Sequence, residues 1–181
     1  MENSMFYCQE TQEKYESDNM QKFIYTERSK TQKKWIFEII KGARERIQIV
    51  FRDPQNRFVI IPSDENRKKK KSYLVIFCDR ELKSIRDLRQ KHVPLLLEVC
   101  KKLQEFLPVG FSHASFHYHP SVYQLHLHVQ TEHVEDLENW RIYPLSYVIL
   151  ALSVNTNFFK EATLQTQVYA WSTNLKKLLQ E

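Results

Sequence analysis

A chain of 181 residues that is 42% hydrophobic and 13% aromatic has enough length and apolar content for one folded domain, which excludes a disordered polypeptide. Its net charge of +5 leans mildly towards anionic partners, while no apolar run approaches the ~18 residues of a membrane span and residues 1–19 are too polar for a secretory signal. Three widely spaced cysteines (Cys8, Cys78, Cys100) point to free thiols in a reducing compartment, and two glycines (Gly42, Gly110) leave no glycine loop to cradle a phosphate.

Residues 1–30 are polar and weakly patterned, and a flexible arm with about one helical turn is expected there, ahead of a domain over residues 31–181. Ile36, Ile39, Ile40, Ala43 and Ile47 then recur at three- and four-residue spacing and predict an amphipathic helix. Residues 49–51 and 58–61 read as strands around a turn at residues 53–56. The basic run at residues 67–71 is open to three readings: a solvated loop, a phosphate-attracting patch, or a nuclear localisation signal. Residues 73–78 are continuously apolar, as in a central strand covered on both faces. Ser84 and Asp87 have the spacing of a capping pair. A long helix is predicted over 92–107, buried through Val93, Leu96, Leu97, Cys100, Leu103 and Leu107. A helix over 141–152, a strand over 163–170 and a short helix over 175–179 complete the chain. The order predicts an α+β domain, an antiparallel sheet with helices packed on it.

The chemistry concentrates between the long helix and residue 133, where six of the seven histidines lie: His113, His117, His119, His126, His128 and His133. Over residues 124–130 polar and apolar residues alternate strictly. Leu125, Leu127 and Val129 therefore face one side of a strand, and Gln124, His126, His128 and Gln130 the other. Residues 116–119 alternate similarly, and Pro120-Ser121 can turn the chain back antiparallel. A polar strand face can simply be wet. Two imidazoles side by side can also transfer protons or attack as nucleophiles. A zinc site from His117, His119, His126 and His128 is a further reading, provided both strands present their histidines on one face.

These residues, in this order, resemble the histidine triad superfamily, and within it the C-terminal domain of the scavenger mRNA decapping enzymes. The resemblance runs over residues 35–180. It includes Trp35 with Glu45 ten residues on, the strands 49–51 and 58–62, the segments 84–88 and 93–96, the histidine strands, and Arg141. It implies metal-independent hydrolysis of the triphosphate bridge of residual capped mRNA fragments, releasing m7GMP, with no cofactor. By the same resemblance, His126 is the nucleophile that forms a covalent nucleotidyl-histidine. His128 contacts the phosphate oxygens and assists the leaving group. Gln124 stands where the first histidine of the triad is expected, near the carbonyl that orients the nucleophile. Ser121 and Arg141 lie at the phosphates. Trp35 stacks on the methylated guanine, and Glu45 bonds its edge. Pro62 and Asp64 line the cap pocket.

Departures accompany the resemblance. Gln124 replaces a histidine, and Val122 replaces a tyrosine although Tyr123 follows. The pocket lysine is missing unless Arg67 or Lys68 replaces it. The domain expected to fold over the cap from the N-terminal side is not found in these 181 residues. The resemblance thus implies a capped dinucleotide or short capped RNA as partner, a homodimer, no membrane, and a cytoplasmic location with nuclear entry open. It leaves a cap-binding paralogue with reduced or lost catalysis as the alternative. A general histidine triad hydrolase of other nucleotides is disfavoured by Trp35 and Glu45.

Overall fold

The computed structural model describes residues 5–43, 48–63, 72–107, 113–131, 141–169 and 172–180. In chain order its elements are β1 (Met5–Glu10), α1 (Gln12–Glu16), α2 (Asp18–Ser29), α3 (Lys34–Lys41), β2 (Phe51–Arg52), β3 (Phe58–Pro62) and β4 (Ser72–Phe77). There follow α4 (Val93–Phe106), β5 (His113–His117), β6 (His126–Gln130), β7 (Ile142–Pro144), α5 (Leu145–Val154), α6 (Phe158–Glu161), β8 (Leu164–Tyr169) and α7 (Thr173–Gln180). Six strands form one antiparallel sheet in the order β2-β3-β4-β6-β5-β7, and β1 pairs with β8 in a separate two-stranded ribbon. The expected α+β class, an antiparallel sheet carrying helices, holds.

Strand alternation divides the sheet into two faces. Phe58, Ile60, Val75, Phe77, Leu125, Leu127 and Val129 pack with Leu96, Val99 and Leu103 of α4 in the main core. The opposite parity, Val59, Ile61 and Ile76, packs with Ile36, Ile39 and Ile40 of α3 and with Val122. Helix α3 ends at Gly42, whose φ of 73° gives a left-handed cap, so the expected stripe stops short of Ala43, while Ile47 lies outside the described residues. Ser84 and Asp87 do form a capping box, on a short 3₁₀ turn at Ile85–Asp87.

The flexible arm expected over residues 1–30 is corrected from residue 5 onwards. Thr11 and Ser17 cap α1 and α2, and Tyr15, Met20 and Ile24 join Val168, Leu175 and Leu179 in a core of their own. What ties this segment down is polar and buried. Glu10 is 0% and Arg86 1% exposed. Arg86 donates to the Glu10 carboxylate at 3.0 Å and to the carbonyls of Glu10, Phe159 and Ala162 at 2.7, 3.0 and 2.6 Å. Tyr118 donates its hydroxyl to Glu10, and His119 Nε2 lies 3.0 Å from the same carboxylate. The helix expected over 141–152 is also revised: Ile142–Pro144 is an edge strand on β5, and the helix starts at Leu145.

Candidate functional site

The face that holds α3 over β3 and β4 carries the histidines over β6 and β5. His126 is paired with Ile76 and His128 with Leu74, while Ser115 is paired with His128. Paired residues share a face, so His113, His117, His126 and His128 stand on one side of the sheet. The rings of His117 and His128 stack at 3.9 Å between centroids, and His126 lies 5.0 Å from His128. His119 is not among them. Its Nδ1 lies 2.9 Å from the Tyr123 hydroxyl and its Nε2 faces Glu10, so the four-histidine metal set is not assembled. Among the described residues no group of three metal-ligating side chains comes together.

His126 has a defined orientation. Its Nδ1 lies 2.7 Å from the Gln124 carbonyl oxygen, which can only accept, so Nδ1 carries the proton and Nε2 keeps its lone pair. Burial lowers the proton affinity of His126, the carbonyl bond opposes this, and the charges of Arg141 and Lys33 lower it further; the net shift is downward. His128 is pushed down to about 2, chiefly by burial and then by His117, His126 and Arg141. His117 is pushed down to about 3, by burial and then by Arg141 and His126. Three neutral imidazoles therefore lie under the charge of two cations, Arg141 at the head of β7 and Lys33 ahead of α3. The buried Nε2 of His128 has no hydrogen-bond partner among the described residues.

The turn that carries Ser121 to Gln124 is held from both sides. Val122 enters the α3 cluster, and Tyr123 enters the core formed by α2 and α7. The Gln124 side chain is 0% exposed and donates from Nε2 to the carbonyls of Phe77 and Asp79, both at 2.8 Å. Its Oε1 accepts from Arg28 at 3.4 Å. Gln124 thus meets His126 through its backbone, while its amide ties the turn to the end of β4.

The other expected site residues divide. Trp35 is half-buried on α3 and packs against the cluster on the histidine face. Ser121 is exposed in the turn, and its carbonyl accepts from Lys33 Nζ at 2.6 Å. Pro62 pairs with Tyr73 and has the parity of Phe58 and Ile60, so its ring belongs to the α4 side rather than the histidine side. Glu45, Asp64, Arg67, Lys68 and the rest of the basic run lie outside the described residues. Sequence reasoning missed Lys33, which stands 88 residues before its partner Ser121 and has no periodic pattern to mark it.

A family model described as scavenger mRNA decapping enzyme C-term binding matches residues 34–142, well over half of the chain. The chain belongs to this family. Family members it resembles include an m7GpppX diphosphatase of Schizosaccharomyces pombe, 35% identical over 118 residues, covering 59% of this chain and 38% of that protein. The Homo sapiens m7GpppX diphosphatase is 31% identical over 160 residues, covering 81% of this chain and 47% of the relative. The chain spans less than half the length of these curated relatives. Among solved structures, the aprataxin ortholog Hnt3 from Schizosaccharomyces pombe aligns over 83% of this chain and 90% of its own, with a TM-score of 0.41 and 15% identity, a likeness too weak to carry weight. The family match spans Trp35, the histidine strands, Arg141, and the Arg86, Tyr118 and His119 that hold Glu10; β1, which carries Glu10, and α1, α2, β8 and α7, which form the core around Tyr123, fall outside it.

Proposed function

We propose that this decapping-family domain hydrolyses the triphosphate bridge of m7GpppN fragments through a nucleotidyl-histidine, releasing m7GMP. The observation that carries the reading is the bond from His126 Nδ1–H to the Gln124 carbonyl, which leaves Nε2 as a bare, unprotonated nucleophile. In the proposed step the Nε2 lone pair forms a bond to the phosphorus beside the methylguanosine, and the bond from that phosphorus to the bridging oxygen breaks. The electrons leave with a nucleoside diphosphate, and water then cleaves the phosphorus–nitrogen bond. Lys33 and Arg141, whose charges already reach His126, neutralise the phosphate oxygens, and His128 faces the same oxygens. Half-buried Trp35 offers an indole face to the cationic methylguanine. Because the second ionisation of a phosphate lies near pH 6, the diphosphate leaves without strong acid assistance, which suits a neutral His128.

The alternative, a cap-binding protein with reduced catalysis, is favoured by the engagement of the Gln124 amide with Phe77 and Asp79, since it cannot then assist at the phosphates. Incubating the protein with m7GpppG beside a His126→Ala control separates the two. Release of m7GMP by the wild type alone supports hydrolysis. Intact substrate with quenched tryptophan fluorescence supports binding only, and neither result rejects both. We also propose a homodimer in the cytoplasm. Exposed Leu97, Leu150 and Val154 on α4 and α5 offer an apolar surface for a second copy, and light scattering of the purified protein measures the mass.

A further inference from the structure

A second cationic surface lies behind the turn that orients His126. Between α2, α3 and the end of β4 opens a cleft of about 610 Å³ lined by Tyr25, Arg28, Lys34, Phe37, Lys41 and Arg80. Lys34, Phe37 and Lys41 recur at three- and four-residue spacing, so they share one solvent-facing side of α3, while Ile36, Ile39 and Ile40 face the sheet. The guanidinium groups of Arg28 and Arg80 both lie over the Phe37 ring, at 5.4 and 5.3 Å from its centroid. Arg28 is fixed there by donating to the Arg80 carbonyl at 2.8 Å and to Gln124 Oε1 at 3.4 Å.

Two like charges are thus gathered around one ring, and burial together with the Arg80 charge lowers the proton affinity of Arg28. Two carboxylates, Glu38 and Glu81, also line the cleft, leaving four cations to two anions. Among the described residues, no carboxylate forms an ion pair with Lys34, Lys41 or Arg80. Tyr25, 75% exposed, adds an aromatic face at the rim. Cations in excess of the carboxylates that line the cleft, with aromatic rings between them, form the physical pattern of a single-stranded nucleic acid groove: phosphates are neutralised by the cations, and bases stack on the rings.

We propose that this cleft holds the RNA chain that follows the cap, gripping its phosphates through Lys34, Lys41 and Arg80 and stacking a base on Phe37 or Tyr25. The proposal deepens the capped-RNA reading and rests on it for the identity of the strand. Its placement follows from two contacts: Arg28 touches the Gln124 side chain and the Gln124 carbonyl holds His126, so Gln124 links the groove to the proposed nucleophile.

The test uses uncapped pentauridylate as the RNA probe and m7GpppG as the cap probe. Binding of each to the wild type and to Lys34→Gln/Lys41→Gln/Arg80→Gln is followed by anisotropy and by tryptophan fluorescence, with circular dichroism confirming the fold. Pentauridylate affinity is expected to fall at least tenfold in the triple variant. Its dependence of log K on log salt should become shallower by about 2, from ~0.7 per lost single-strand contact. An Arg80→Lys variant, which keeps the charge, should retain most of the affinity, and m7GpppG should be bound and cleaved as before. Equal pentauridylate binding by wild type and triple variant overturns the groove, as does no binding by the wild type at low salt. If pentauridylate binds in this charge-dependent way while m7GpppG is neither bound nor cleaved, the cap reading fails and the groove stands.

Discussion

Replacing Arg86 by Met tests whether the segment before α3 is an integral part of the domain. The guanidinium is fully buried and donates to the Glu10 carboxylate and to four main-chain carbonyls, those of Glu10, Phe159, Lys160 and Ala162. Methionine fills similar volume but leaves the carboxylate of Glu10 buried without its guanidinium and the carbonyls without donors. Breaking a buried pair by removing one partner costs about 3–5 kcal/mol. For a domain of this size each kcal/mol lowers Tm by about 2–4 °C, so a fall of roughly 6–20 °C is expected in calorimetry at neutral pH. The pH dependence supplies a second readout. Burial raises the proton affinity of Glu10, but the charge and hydrogen bond of His119, the Tyr118 hydroxyl and the Arg86 charge outweigh it, and the net shift is below the ordinary value of 4.5. A depressed carboxylate contributes stability that is present above its unfolded value and lost as the pH falls through the folded one. Wild type therefore weakens on acidification. The Arg86→Met protein weakens less, because its Glu10 carboxylate, left with Tyr118 and His119 alone, is held down less and is relieved sooner by protonation, and the gap between the two narrows towards low pH. A loss under about 1 kcal/mol, or a gap independent of pH, would refute the network as the anchor of β1.

Lys33→Gln removes one of the two charges that lower the proton affinity of His126. The acid limb of kcat/KM for m7GpppG should move to higher pH and its plateau should fall about tenfold or more, as for a lost charged hydrogen bond; a pH–rate profile checks both. Gln124→Ala leaves the buried carbonyl of Phe77 and the part-buried carbonyl of Asp79 without the amide donor, and urea unfolding should show a loss of about 1–3 kcal/mol. Ser84→Ala removes the capping box that turns the chain from β4 towards α4, with an expected loss of about 1 kcal/mol in the same assay.

Much of the sheet was legible because burial leaves a period in the sequence. The alternation over 124–130 placed Leu125, Leu127 and Val129 in the core and the two histidines opposite, and the unbroken apolar run over 73–78 announced a strand with neighbours on both sides, as β4 has. The 3.6-residue stripe over 93–107 likewise marked α4, although Leu97, expected in its buried face, is 52% exposed and Val99, one helical turn from Leu96 and Leu103, takes the core position instead. The first thirty residues carried no such signal. Their most buried member in β1 is a carboxylate, Glu10, whose partner Arg86 lies 76 residues away, and a charge compensated at that distance looks like a surface residue in sequence. The edge strand Ile142–Pro144 was too short to show a period and ran straight into an apolar helix, so the two read as one. His119 shared the pattern of its neighbours His117 and His126 but not their direction, because the strand ends at His117 and the chain beyond it turns towards Glu10 and Thr166.

The same distinction between side chain and backbone bears on position 124. A triad histidine there, if it were needed for its imidazole, could not be exchanged for an amide. What His126 takes from residue 124, however, is the main-chain carbonyl at 2.7 Å, an acceptor any residue supplies if the turn is held in place. Holding it requires two carbonyls at the end of β4, those of Phe77 and Asp79, to be satisfied together. A neutral imidazole has one N–H and can donate to only one of them, whereas an amide has two and donates to both. Gln124 therefore strengthens the support of the turn while giving up whatever a first histidine contributes at the phosphates. That support is completed from outside the matched family span, by Arg28 on the Gln124 oxygen and by the α2 and α7 core around Tyr123. The N-terminal segment thus helps to hold the carbonyl that orients the proposed nucleophile, and substitutions in Arg28 or in the core around Tyr123 should reach the chemistry through that carbonyl.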